Sequence, residues 1–72
     1  MTITITNKLT PREKTVMAAV AEGHSGRLIA EKLGLSPLTV VMHRNNAVAK
    51  LGANNSAHAA VIFDRASRAV AS

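Results

Sequence analysis

The run Ile29-Ala30-Glu31-Lys32-Leu33-Gly34-Leu35-Ser36-Pro37-Leu38-Thr39-Val40 constrains this chain more than any other stretch. Ile29, Ala30 and Leu33 recur at helical spacing, which gives a short helix one apolar face. Gly34 then falls where a helix ends in a left-handed residue, a conformation that glycine adopts without steric cost. Ser36 offers an N-cap oxygen, and Pro37 takes the first helical position, where no N–H is needed. Two helices joined by a short turn containing glycine make a helix-turn-helix.

The same punctuation recurs along the rest of the chain. Thr10-Pro11-Arg12-Glu13 reads as a capping box with proline at the first helical position. It predicts a first helix from about Pro11 to Glu22, with Val16, Met17, Ala19 and Val20 facing inward and Gly23 ending it. Ser25 predicts the start of a second helix, about Gly26 to Leu33. The third should run from Pro37 to Leu51, turning Val40, Ala47, Val48 and Leu51 to the core, and Gly52 stops it. Ser56 opens a fourth helix to about Val70, with Ala59, Ile62, Phe63, Ala66 and Val70 on one broad face. The expected fold class is therefore all-α, a compact four-helix domain over residues 9–72 that contains the helix-turn-helix. Residues 1–8 alternate Thr and Ile at the period of a strand, but a lone strand has nothing to pair with in a helical domain. They are expected to form a flexible arm.

Size and charge narrow the function. The chain has 72 residues, no cysteine, and no apolar stretch approaching the length of a membrane span. Disulfides and thiolate metal sites are excluded, and a cytoplasmic setting without membrane contact is the expectation. Nine Lys and Arg against four Asp and Glu give a formal charge of +5 and a pI near 10.9, a balance suited to a polyanion. The only aromatic residue is Phe63, so the stacking platforms used on single strands and RNA are missing. Duplex DNA is favoured, because the second helix of a helix-turn-helix is the one offered to the major groove. Catalysis is not expected. His24, His43 and His58 have no ligand-spaced partners, and Glu13, Glu22, Glu31 and Asp64 form no acid–base constellation. Neither a metal nor a cofactor is expected.

Leu9-Thr10-Pro11-Arg12-Glu13, Ala21-Glu22-Gly23-His24-Ser25 and Ile29 through Pro37 together resemble the LuxR-type (GerE-like) DNA-binding domain. The similarity continues through Thr39-Val40, His43, Asn46, Lys50-Leu51-Gly52 and Ala59. Many matches at fixed spacing across one domain carry far more weight than a lone short motif. The resemblance implies a four-helix helix-turn-helix domain, transcriptional regulation, and dimerisation through the last helix. Family members usually join this domain to a receiver or ligand-sensing domain, whereas this chain reads as a stand-alone module.

Departures from the family pattern bear on the site. The basic residue that usually follows the Thr-Val pair is Val41 here, and a second reading position one turn later is Asn45. Leu28 replaces an acid, Gly26 weakens the first turn of the second helix, and Thr15 stands where a second Glu is common. On the third helix Leu38, Val41, Met42, Asn45 and Ala49 form a stripe away from the core positions, the side that the resemblance turns to the major groove. Val41, Met42 and Asn45 are the expected base contacts: apolar groups can touch thymine methyls, and an asparagine amide can bond adenine bidentately. Ser25, Arg27, Ser36, Thr39, Arg44 and Lys50 are the expected phosphate contacts. Lys50 has an alternative role at the carbonyls of its own helix end. His43 is expected to pack near the DNA-facing edge, and Asn46 to bond backbone.

Ile62, Phe63, Ala66 and Val70 are the expected homodimer interface, although Phe63 could equally fill the domain's own core. The leading expectation is a sequence-specific duplex-DNA-binding transcriptional regulator, a homodimer on an inverted-repeat site. The alternative is a protein-binding antagonist or co-regulator that engages another transcriptional regulator through the apolar stripe.

Overall fold

A computed structural model describes residues 8–71, with side chains as far as Arg68. The expected arm, apart from Lys8, and the side chain of Val70 lie outside the described residues. Four helices follow one another: α1 (Pro11–Ala21), α2 (Gly26–Leu33), α3 (Pro37–Lys50) and α4 (Ser56–Ala71). Helices α1 and α3 stop one residue before the positions expected from sequence. Glu22 and Leu51 keep right-handed φ, but their ψ values of −3° and −6° tighten the last turn ahead of a positive-φ glycine.

The caps form as the residue types dictate. Thr10 Oγ1 accepts from the Glu13 N–H at 3.1 Å, and Glu13 Oε1 accepts from the Thr10 N–H at 2.9 Å. Ser25 Oγ accepts from the Leu28 N–H at 3.2 Å, and Ser36 Oγ accepts from the Thr39 N–H at 3.2 Å. Each satisfies a backbone donor that the first turn of a helix leaves unpaired, a contribution of about 1 kcal/mol.

Gly34 sets the angle between α2 and α3. Its φ of 67° and ψ of 33° are left-handed, and the next N–H, of Leu35, donates to Ala30 O at 2.9 Å. This closes α2 in a Schellman-type turn and leaves Leu35 half-buried against the core. A Cβ at Gly34 would meet nothing within 4 Å, so any penalty for a side chain there is backbone strain alone. Gly34→Ala is expected to lower stability by about 1 kcal/mol, the left-handed strain less the entropy removed from the unfolded chain. The denaturant midpoint measures it, and a gain in stability would contradict the geometry.

The core falls into two clusters that meet at Val20. Val16, Ile29, Ala30 and Val40 lie beneath the helix-turn-helix and hold α2 and α3 to α1. Leu9, Met17, Ala47, Leu51, Ala59 and Phe63 join α1, α3 and α4. Helix α1 is thus the spine, and α3 is fixed on its inner side by Val40 and Ala47, both fully buried.

Candidate nucleic-acid interface

With Val40 and Ala47 turned inward, the opposite side of α3 faces solvent. Leu38 is 70% exposed and Met42 57%, and Asn45 and Ala49 continue the exposed row at helical spacing. Two of the three expected base readers, Met42 and Asn45, therefore stand clear, while Val41 is half-buried on the flank. Leu38 belonged to the stripe in the sequence but not to the expected base contacts, and it is the most exposed large apolar side chain among the described residues.

The expected phosphate contacts divide into two groups. Ser25 and Ser36 are exposed at the N-termini of α2 and α3, where each oxygen accepts the capping N–H and Ser25 keeps its hydroxyl proton to donate. Ser36 Oγ and Thr39 Oγ1 lie 2.8 Å apart in a shared hydrogen bond. Arg27 is exposed in the first turn of α2. Arg44 is half-buried and reaches across from α3: a Cβ at Gly26 would lie 3.7 Å from its Nη1. A cation beside a helix N-terminus opposes the helix dipole, and an anion placed there is attracted by both.

Lys50 is differently placed. Its Nζ donates to Glu13 Oε1 at 2.8 Å, so the ammonium expected on a phosphate is held by a carboxylate of α1. The Glu13 side chain is only 4% exposed, whereas that of Lys50 is 37% exposed. Burial pushes the Glu13 carboxyl up, but the Lys50 ammonium and the Thr10 N–H and hydroxyl outweigh it and hold it below the usual glutamate range. His43 is half-buried, and Asn46, expected to bond backbone, is exposed.

On α4 the broad apolar face turns toward α1. Phe63 is 9% exposed and Ala66 1%, so these two expected dimer contacts serve the domain's own core, with Ile62 half-buried at its margin. Helix α1 supplies Met17, which packs with Ala59 and Phe63 of that face. Val61, not singled out in the sequence, is 48% exposed on the outer side, followed at helical spacing by exposed Arg65 and Arg68. Val61 follows Ala57 by one turn, the one spacing that could have marked it.

A short helix, a left-handed glycine turn and a second helix with an exposed reading stripe, all on a basic chain, define a helix-turn-helix domain of the nucleic-acid-binding class. Residues 7–63 match the family model described as bacterial regulatory proteins, luxR family. The chain belongs to that family. It is similar to the transcriptional regulatory protein UhpA of Escherichia coli, 49% identical over 47 residues that make 65% of this chain and 24% of UhpA. It is also similar to the transcriptional activator protein CarR of Pectobacterium carotovorum, 43% identical over 51 residues, 71% of this chain and 21% of CarR. With FixJ of Rhizobium meliloti it shares 42% identity over 50 residues, 69% of this chain and 24% of FixJ. The match thus spans about a quarter of the length of these relatives. No solved structure matches the chain significantly. No helix among the described residues is long and apolar enough to cross a membrane.

Proposed function

We propose that this chain is a sequence-specific duplex-DNA-binding transcriptional regulator of the cytoplasm that places α3 in the major groove. The observation that carries the reading is the exposed row Leu38, Met42, Asn45 on a helix whose other side is locked into the core. Ser25, Arg27, Ser36 and Arg44 flank that row with donors and positive charge for phosphates. Residues 9–72 act as the binding domain. Two copies on an inverted repeat would set their α3 helices about 34 Å apart, one DNA turn. Their contact would run along α4 through Ile62 and Val61, because Phe63 and Ala66 are already covered.

Anisotropy titration against duplexes selected from a randomised pool tests the reading. Asn45→Ala is expected to weaken the selected duplex by about 1–3 kcal/mol, and Arg27→Ala to reduce the salt slope by about one with little effect on sequence preference. Enrichment of no sequence, with binding indifferent to Asn45→Ala, would remove it. For the dimer, sedimentation of the DNA complex with Ile62→Asp should show one copy bound where the parent shows two. A second reading rests on the exposure of Leu38 and Met42: the chain engages another regulator through them. In that case the purified chain lowers that regulator's affinity for its operator without itself protecting DNA.

A further inference from the structure

We infer that α3 reads a half-site of A·T pairs, with thymine 5-methyl groups against Leu38 and Met42 and an adenine edge bonded by Asn45. The inference rests on the duplex-DNA reading above and proceeds by elimination on the groove's chemistry. A guanine shows two acceptors in the major groove and is bonded most often by Arg or Lys. Helix α3 has two such cations, and both are turned away from the stripe. The Arg44 guanidinium lies beside Gly26 of α2, and the Lys50 ammonium is bonded to Glu13 of α1. His43 is half-buried. A cytosine shows an amino donor and calls for a carboxylate, and the sequence of α3 contains no Asp or Glu. The Thr39 hydroxyl is paired with Ser36 at the helix N-terminus.

What remains on the row is one amide, that of Asn45, and two large apolar side chains, while Asn46 is exposed beside the row. The amide of an exposed asparagine matches the N7 acceptor and N6 donor of adenine. Leu38 and Met42 match the one apolar group that the groove offers, the thymine methyl. With Leu38 at 70% and Met42 at 57% exposure, each has apolar area to bury against it. Arg27 and Lys32 do not alter the balance, because they sit on the helix that crosses the backbone in this docking mode.

The test uses the whole chain and a duplex enriched from a randomised pool, in which each thymine is replaced in turn by uracil. That exchange removes the 5-methyl and keeps the pairing. Loss of one contacted methyl should weaken binding about fourfold, the worth of one buried methyl group. Leu38→Ala and Met42→Ala, at solvent-facing positions and with helicity checked by circular dichroism, should each weaken the thymine duplex to a similar degree. Each should also erase the difference between thymine and uracil at one position. A selected sequence whose required pairs are G·C, or equal binding of thymine and uracil duplexes, would overturn this inference and leave the DNA reading intact. Failure to enrich any sequence, with Leu38 and Met42 instead needed to bind a regulator, would overturn both.

Discussion

Replacing Met17 with alanine is expected to bring this domain to the edge of unfolding. Met17 is fully buried on α1, between Leu9, Ala47, Leu51, Ala59 and Phe63. Two of those neighbours are alanines whose side chains cannot swing into a vacated volume, so the cavity would persist. Truncations of this kind cost about 2–5 kcal/mol, the upper values where the site cannot collapse. Domains carry roughly 0.05–0.15 kcal/mol of stability per residue, so a chain of 72 residues has about 4–11 kcal/mol in total. A domain of this size loses about 4–8 °C of melting temperature per kcal/mol. Thermal melts followed by circular dichroism should therefore fall by about 10 °C or more. A shift of less than about 4 °C would mean that the Met17 side chain contributes little to the core.

The contrast between what the sequence declared and what it withheld follows the range of each interaction. Thr10, Ser25, Ser36 and Gly34 act on backbone within a few residues, so residue type and spacing alone placed the three helix starts and the one turn they govern to within a residue. The inward sets of α1 and α3 were legible for the same reason, since a helix face is a local periodicity. The partner of that face is not local. The sequence showed that Phe63 and Ala66 share an apolar side of α4, but whether α1 or a second copy covers it depends on packing between distant segments. Glu13 and Lys50 lie 37 residues apart, and each had a sufficient local role, one in a capping box and one at a helix end. Nothing in the local pattern joins them. Arg44 is similar: its guanidinium reaches Gly26 only because α2 and α3 pack together. These two long-range placements decide where the cations of α3 lie, and so the chemistry around the reading stripe was the part least visible in the sequence.

The pair between Glu13 and Lys50 leads to the other large effect. Lys50→Met removes the ammonium and keeps an apolar stem, leaving a nearly buried carboxylate with only the Thr10 donors. Breaking a fully buried pair costs about 3–5 kcal/mol, and the partial exposure of Lys50 reduces that to about 2 kcal/mol, because water can reach the vacated end. The pH dependence separates this cause from lost packing. In the parent the Glu13 carboxyl is held below its usual range, so its contribution is complete above roughly pH 4.3 and is lost as pH falls through the lower folded value. In Lys50→Met the carboxyl loses the cation that holds it down, and its protonation relieves the unpaired charge. The stability gap between the two proteins should therefore be widest near neutral pH and should close on acidification, as read by urea midpoints at each pH. A gap that stays constant with pH would assign the loss to the stem instead. The same variant also decides what Lys50 does on DNA. If the ammonium stays with Glu13 on DNA, the salt slope of binding should match that of the parent, measured where both proteins are folded. A slope lower by about one would show that Lys50 leaves Glu13 for a phosphate when DNA binds.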